Sequence, residues 1–296
     1  HSTTNNGRAA TSFYDVARGN DYLYDMKVWD EEHETGPKSI VNGVQLDGSQ
    51  TGEEEVQAAL DALLEHPSLP PFLSRLLIQR FTSSNPSAAY LARVSRVWLD
   101  DSTGESADLG EVIKAILLDP EVLSGGHQYH GKVREPIIRY ASLARAFNLV
   151  SESGKYSTNQ PLLNDDFGQF PMLSPSVFNF YLPDFAPEGE FRMAGMVSPE
   201  LQLASLSQLL RSDSQFAASV EESGVSGSFD LTKELTLVDE PSALVERVDL
   251  LMTGGRLKAD TKLVILNAVQ SEVTDLEKVR TAIYLVSQSM ECIVLN

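Results

Sequence analysis

From Thr51 onward, apolar residues recur every three or four positions, in stretches of ordinary helix length cut apart by proline and glycine. A stripe with this period buries one side of an α-helix and leaves the other wet, so each stretch needs neighbours to cover it. The expected fold is all-α, a multi-helix bundle with long ordered loops rich in aromatic residues and proline. Thr51 and Glu54 form a capping-box pattern, and Val56, Ala59, Leu60, Leu63 and Leu64 make an amphipathic stripe to about Glu65. His66-Pro67 stops that helix, with His66 expected to cap its end against free carbonyls.

A second helix begins near Pro70 and carries Phe72, Leu73, Leu76, Leu77 and Phe81. Asn85 reads as the N-cap, and Pro86 as the first-turn proline, of a third. That helix turns Tyr90, Leu91, Val94, Val97 and Trp98 to one side and Arg93 and Arg96 to the other. Asp108 with Glu111 opens a fourth, and Pro136 a fifth that runs through Tyr140 and Ala144 to Phe147. Ser198-Pro199 starts another. Residues 241–253, stopped by Gly254-Gly255, then 260–269 and 275–294, close the chain.

Between these lie two stretches without a helical period. Residues 1–50 read as an extended or loop region packing on the helices, with a short strand at 39–44. Residues 151–197 hold Pro161, Pro171, Pro175, Pro183 and Pro187 together with Phe167, Phe170, Phe178, Phe180, Tyr181, Phe185 and Phe191. Proline forbids long helices there, and so many aromatics suit an ordered loop pinned to the helices. Phe178, Phe180, Tyr181 and Phe185 are its candidate interaction surface. The resulting division is 1–50, the helical core 51–150, the aromatic loop 151–197 and the C-terminal helices 198–296, within one domain overall.

Charge narrows the partners. The formal net charge is −19, which repels nucleic acid and anionic lipid, so no nucleic-acid partner is expected. No apolar run approaches the roughly 20 residues of a membrane span. Residues 67–145 stand apart, with 9 basic and 8 acidic side chains against 4 and 13 in residues 1–66. Arg75, Arg80, Lys132, Arg134 and Arg139 are candidates for an anion site there. Helix starts leave backbone N–H groups free beside such arginines. The competing reading, favoured on these residues, is a buried Arg–Glu network that fixes helix packing.

Catalytic candidates are sparse. His33 lies among Asp30, Glu31, Glu32 and Glu34, where an imidazole beside carboxylates suits a general base or a metal ligand backed by acidic side chains. Glu34 and Glu135 join it as candidate catalytic residues. His127 and His130, in a Gly-rich loop without a spaced third ligand, make only a weak zinc signal, and no metal site is assigned. The single cysteine, Cys292, falls in the C-terminal apolar pattern and reads as a small buried hydrophobe. Glu53-Glu54-Glu55 reads as a solvated helix start that favours the helix dipole. No Gly-rich phosphate loop, nucleophile elbow or metalloprotease motif is present, and no cofactor is indicated.

Several blocks in a fixed order carry a resemblance. They are DEEHETGPKSIVNG from Asp30, LEHP from Leu64, LIQRF from Leu77, SNP from Ser84, AILLDPE from Ala115, GKVREP from Gly131, PSVFNFY from Pro175, PDFAP from Pro183 and SPELQ from Ser198. Together they closely resemble the bacterial family catalogued as domain of unknown function 1800, from about Phe13 to Ala282. The resemblance implies that the chain is the C-terminal part of a longer protein lacking an N-terminal helical portion, and that it works outside the cytoplasm. No signal peptide is seen in residues 1–12. The ending SQSMECIVLN from Ser287 departs from the family's usual Ser-Pro-Glu-rich end. The family has no established activity. The expectation is an extracytoplasmic helical binding or scaffold protein, whose partner is another protein or the missing N-terminal portion. The alternative is a hydrolase-like enzyme acting on an anionic substrate through His33 and residues 132–139.

Overall fold

The computed structural model describes residues 28–100, 107–125, 130–150, 167–169, 173–177, 179–203 and 229–295, and the backbone of 4–5 and 8–9. It is mainly helical, as the apolar periodicity predicts. The helices are α1 (Gly52–Leu64), α2 (Leu69–Phe81), α3 (Ala88–Leu99), α4 (Leu109–Leu117), α5 (Pro120–Leu123) and α6 (Pro136–Ala146). They continue as α7 (Glu190–Met193), α8 (Thr232–Leu235), α9 (Pro241–Thr253), α10 (Ala259–Ser271), α11 (Asp275–Gln288) and α12 (Met290–Ile293). Three antiparallel pairs of two-residue strands accompany them: β1 (Thr4–Asn5) with β2 (Arg8–Ala9), β3 (Lys38–Ser39) with β4 (Gln45–Leu46), and β5 (Lys132–Val133) with β6 (Val294–Leu295). Among the described residues no helix is long and apolar enough to cross a membrane.

The chain divides into two compact units, one of residues 1–74 and 95–109, the other of residues 75–94 and 110–296. In the first, Thr51 and Glu54 make the predicted capping box at the start of α1. The strand expected at 39–44 is instead a hairpin, in which Lys38 faces Leu46 and Ser39 faces Gln45. Asn42 supplies its turn at φ 60, a left-handed conformation that Asn tolerates better than most residues, and its side chain donates to the Ala62 carbonyl at 2.9 Å. The α1 stripe is only partly covered. Ala62 is buried, but Val56, Leu60, Leu63 and Leu64 remain about half exposed. Periodicity shows which side of a helix is apolar, and only the packing shows how far it is covered. His66 departs from expectation: its Nδ1 accepts from the Ser68 N–H at 3.1 Å and so serves the start of the next turn, not the end of α1.

The second unit holds the larger core. Leu143, Phe147, Phe167, Leu244, Val248 and Ile265 lie in it with Val269, Val279, Ile283 and Val286. α9, α10 and α11 pack on one another, and α6 packs on α9. α9 begins at Pro241 and ends on Gly254 at φ 74, as the Pro and Gly signals predict. The last helix does not run through to 294. Ser289 adopts an extended conformation, and its hydroxyl accepts from the Cys292 N–H, so a new single turn, α12, starts there. β6 follows and pairs with β5. Cys292 is buried as expected, and burial pushes its thiol pKa up.

Asn85 also differs from its expected role. Ser87 caps α3 by accepting from the Tyr90 N–H at 3.0 Å. The Asn85 amide instead pairs with both backbone groups of Val197, at 2.9 Å each. A short polar side chain before a helix has two uses, and here a long-range backbone partner takes it. The helix expected beyond Leu203, most of the loop 151–172 and Phe178 lie outside the described residues.

Candidate functional site

Two clusters of charge line open cavities, one in each unit. In the first unit, the short 3₁₀ turn Asp30–Glu32 leads into His33 in an extended conformation. Its Nε2 lies 2.9 Å from Glu55 Oε2 on α1. Lys38, at the start of the hairpin, sets Nζ 2.7 and 2.8 Å from the two Glu55 oxygens and also donates to the Glu34 carbonyl. The Lys38 ammonium, and after it the imidazole, hold the Glu55 carboxyl below its ordinary range. Glu55 is therefore not part of a solvated helix start; the Lys38 ammonium and the His33 ring cover it. These groups line a cavity of about 510 Å³ with Val28, Trp29, Glu32, Ile40 and Leu46.

Gly52 is what lets Val28, in the lining of the same cavity, pack against α1. A Cβ at this position would fall 2.3 Å from Val28 Cγ1 and 3.5 Å from His33 Cδ2. The close approach of Val28 to the first turn of α1 thus depends on one missing methyl group, while His33 would meet that methyl at ordinary contact distance.

In the second unit, Pro136 opens α6 and leaves Glu135 at the N-cap position, yet the Glu135 side chain does not cap. Its Oε1 accepts from Arg80 Nη1 at 2.9 Å and from the Tyr181 hydroxyl at 2.6 Å, and its Oε2 accepts from the Gln169 amide. Arg80 also donates to the Tyr181 hydroxyl, and its guanidinium lies 4.9 Å from the centre of that ring. Burial alone would raise the Glu135 pKa. The Tyr181 and Gln169 hydrogen bonds with the Arg80 charge outweigh it and hold the carboxyl below the ordinary value. Burial and the same carboxylate push the Tyr181 hydroxyl up.

Lys132 lies in β5 beside this group. Its ammonium donates to the carbonyls of Gln79 and Arg80 at 3.0 and 2.9 Å and pairs with Glu200 at 2.9 Å. All three of its protons are used. Arg134 donates one N–H to the Met252 carbonyl at 3.3 Å, and no other hydrogen bond of its guanidinium is found among the described residues. Arg80, Lys132, Arg134 and Arg256 line an open groove of about 760 Å³, in which Glu135 is the one carboxylate among the lining residues. Its apolar lining includes Phe81, Ile138, Leu250, Leu251 and Leu295, and the first four are exposed.

The remaining candidates fall elsewhere. Arg75 is exposed on α2. Arg139 is buried and donates to the Ser287 carbonyl at 2.8 Å and to Gln288 at 3.1 Å. Arg93 makes a bidentate pair with Asp119, both bonds at 2.7 Å. Tyr181, offered as interaction surface, is buried in the ion network, while Phe180 and Phe185 are half-buried. His33 and Glu34 belong to one unit, Arg134 and Glu135 to the other. His127 lies outside the described residues. Among the described residues no group of three or more His, Cys, Asp or Glu side chains is placed to hold a metal ion. Sequence reasoning passed over Glu55 and Glu200, whose partners are 22 and 68 residues away, and Leu250 and Leu251, which read as ordinary members of a helical stripe.

Set against known proteins, residues 8–294 match a family described as "Protein of unknown function (DUF1800)". No curated protein and no solved structure matches the chain.

Proposed function

The chain belongs to the DUF1800 family of proteins of unknown function, and on that premise we propose that it is a binding protein for amphipathic anions. One observation carries this reading. In a chain of net charge −19, the groove of the second unit gathers four cationic side chains around a single carboxylate, beside exposed leucines. Lys132 is spent on the protein itself, but Arg134 and Arg80 keep N–H groups to offer. Guanidinium groups bind a carboxylate or phosphate through paired hydrogen bonds. Phe81, Ile138, Leu250 and Leu251 give such a ligand a place for an apolar tail.

The groove favours binding over hydrolysis. Glu135 has both oxygens engaged in hydrogen bonds and its pKa is held low, so it is poorly placed to donate a proton. The proposal extends to setting: an extracytoplasmic binding or scaffold protein that forms the C-terminal part of a longer family member, a reading supported by the family resemblance alone. Fractionation of cells producing the natural protein, with mass spectrometry of its ends, tests that setting.

Calorimetric titration with decanoate, decanol and inorganic phosphate tests the binding. Decanoate should bind more tightly than either of the others, since it alone uses both parts of the groove. Arg134→Gln removes a charge-assisted hydrogen bond of about 1.5–3 kcal/mol, roughly tenfold or more in affinity. Leu250→Ser, at an exposed position, should weaken decanoate and leave phosphate unchanged. Equal decanoate affinity in wild type and Arg134→Gln overturns the reading.

A further inference from the structure

We infer that His33 is a general base serving uncharged, apolar substrates in the cavity of the first unit. Glu55 is ionised under the charge of Lys38, and a carboxylate can only accept, so the Nε2 that meets it at 2.9 Å carries the proton. That leaves the lone pair of the neutral ring on Nδ1, for which the described residues supply no hydrogen-bond donor. A carboxylate behind one imidazole nitrogen fixes the tautomer and ring orientation and stabilises the cation formed when the other nitrogen takes a proton. Lys38 in turn fixes the carboxylate. The three groups are thus base, orienter and anchor, drawn from the 3₁₀ turn, α1 and the hairpin.

The cavity defines the substrate. Val28, Trp29, Ile40, Leu46, Val56 and Ala59 make its wall apolar, and about 510 Å³ accommodates a bicyclic ring. Glu55 and Lys38 neutralise each other, while Glu32 and Glu34 are exposed carboxylates in the same lining, which turn anions away. An apolar wall also strips water from a base and strengthens its interactions with the reacting proton. The substrate class is therefore an uncharged carbon or oxygen acid of ring size, distinct from the anions proposed for the groove.

The probe is 5-nitrobenzisoxazole, whose ring opening needs a base and no other reactant. Nδ1 takes the proton on C3, the C–H electron pair becomes the second π bond of a nitrile, and the N–O bond breaks with its pair leaving on the phenolate oxygen. The coloured phenolate reports the rate. The full chain should show saturable kinetics, at least about tenfold faster than the same concentration of free imidazole, in keeping with positioned general bases. His33→Gln, which fills the same space without a basic nitrogen, should remove this acceleration. Glu55→Gln should lower kcat and change the pH profile, because the ring loses its orienting charge. Val56→Trp, at a half-exposed position, should block the probe while leaving the imidazole intact. Circular dichroism establishes that each variant is folded. A wild-type rate equal to that of free imidazole, or an unchanged rate in folded His33→Gln, overturns the inference.

Discussion

Lys132 and Glu200 face each other at 2.9 Å with side chains only 7% and 2% exposed. The ammonium is further held by two carbonyls at the end of α2, so one side chain ties that helix, β5 and the 3₁₀ turn Pro199–Gln202 together. Breaking a buried pair from one side leaves the other charge uncompensated, which costs about 3–5 kcal/mol. Lys132→Met should lower the free energy of unfolding, measured in urea, by that amount. Lys132→Met with Glu200→Leu should recover much of it, because the stranded carboxylate is gone. A double variant no more stable than the single one would show that the carbonyl bonds, not the charge pair, dominate.

Asp249 should make the second unit sensitive to acid. It is fully buried on α9 and accepts from Thr253, from the Leu257 N–H at 3.2 Å and from Lys262 at 2.8 Å, bracing the Gly254-Gly255 turn. Burial would raise its pKa, but the Lys262, Thr253 and Leu257 bonds outweigh it and the net shift is downward. A depressed folded-state pKa means the unfolded chain binds the proton more readily. The stabilisation is therefore complete above the unfolded value near 3.8 and is lost as pH falls through the lower, folded one. Asp249→Asn should be less stable than wild type at pH 7, with the gap closing in acid. Thermal melts across that range measure it, and a constant gap at every pH contradicts the assignment.

The boundaries of α1 and α9 were legible because their signals are local. The Thr51–Glu54 box and the Pro241 and Gly254 punctuation each act within a few residues. The same local grammar misplaced Asn85, whose amide answers Val197 more than 100 residues on. At the candidate sites, Arg80, Lys132 and Arg134 stood out by their local density. Which of them still has donors to offer depends on carbonyls at Gln79, Arg80 and Met252, and a backbone carbonyl has no sequence signature. His33 was recognised with the wrong partner: the neighbouring carboxylates are exposed, and the one that meets the ring arrives from the next helix.

Gly52→Ala should destabilise the first unit, against the usual direction. Alanine in a helix is favoured over glycine by about 1 kcal/mol. Here the new methyl would fall 2.3 Å from Val28 Cγ1, so either Val28 or the start of α1 must move. Val28→Ala removes the obstructing atom, and the double variant should regain stability relative to Gly52→Ala alone. Urea unfolding of the three proteins decides it. Restoration by Val28→Ala supports steric exclusion, and its absence points to the backbone.

Glu135 sets the balance between stability and ligand affinity in the groove. Its carboxylate neutralises Arg80 and accepts from Tyr181 and Gln169. Glu135→Gln keeps the shape but removes the charge, so Arg80 loses its counter-ion and presents an undiluted positive field to an incoming anion. Decanoate affinity should rise severalfold while the unfolding midpoint falls, since the buried hydroxyl of Tyr181 loses its charged acceptor. Tyr181→Phe should lower stability by about 1–2 kcal/mol with little gain in affinity, because Arg80 remains paired. Removing a hydrogen bond that favours the ionised form also raises the Glu135 pKa, so this variant should lose stability at a higher pH than wild type as acid is added. Titrations and melts on the two variants separate charge from packing. If Glu135→Gln and Tyr181→Phe change affinity alike, the arginine field is not what draws the ligand.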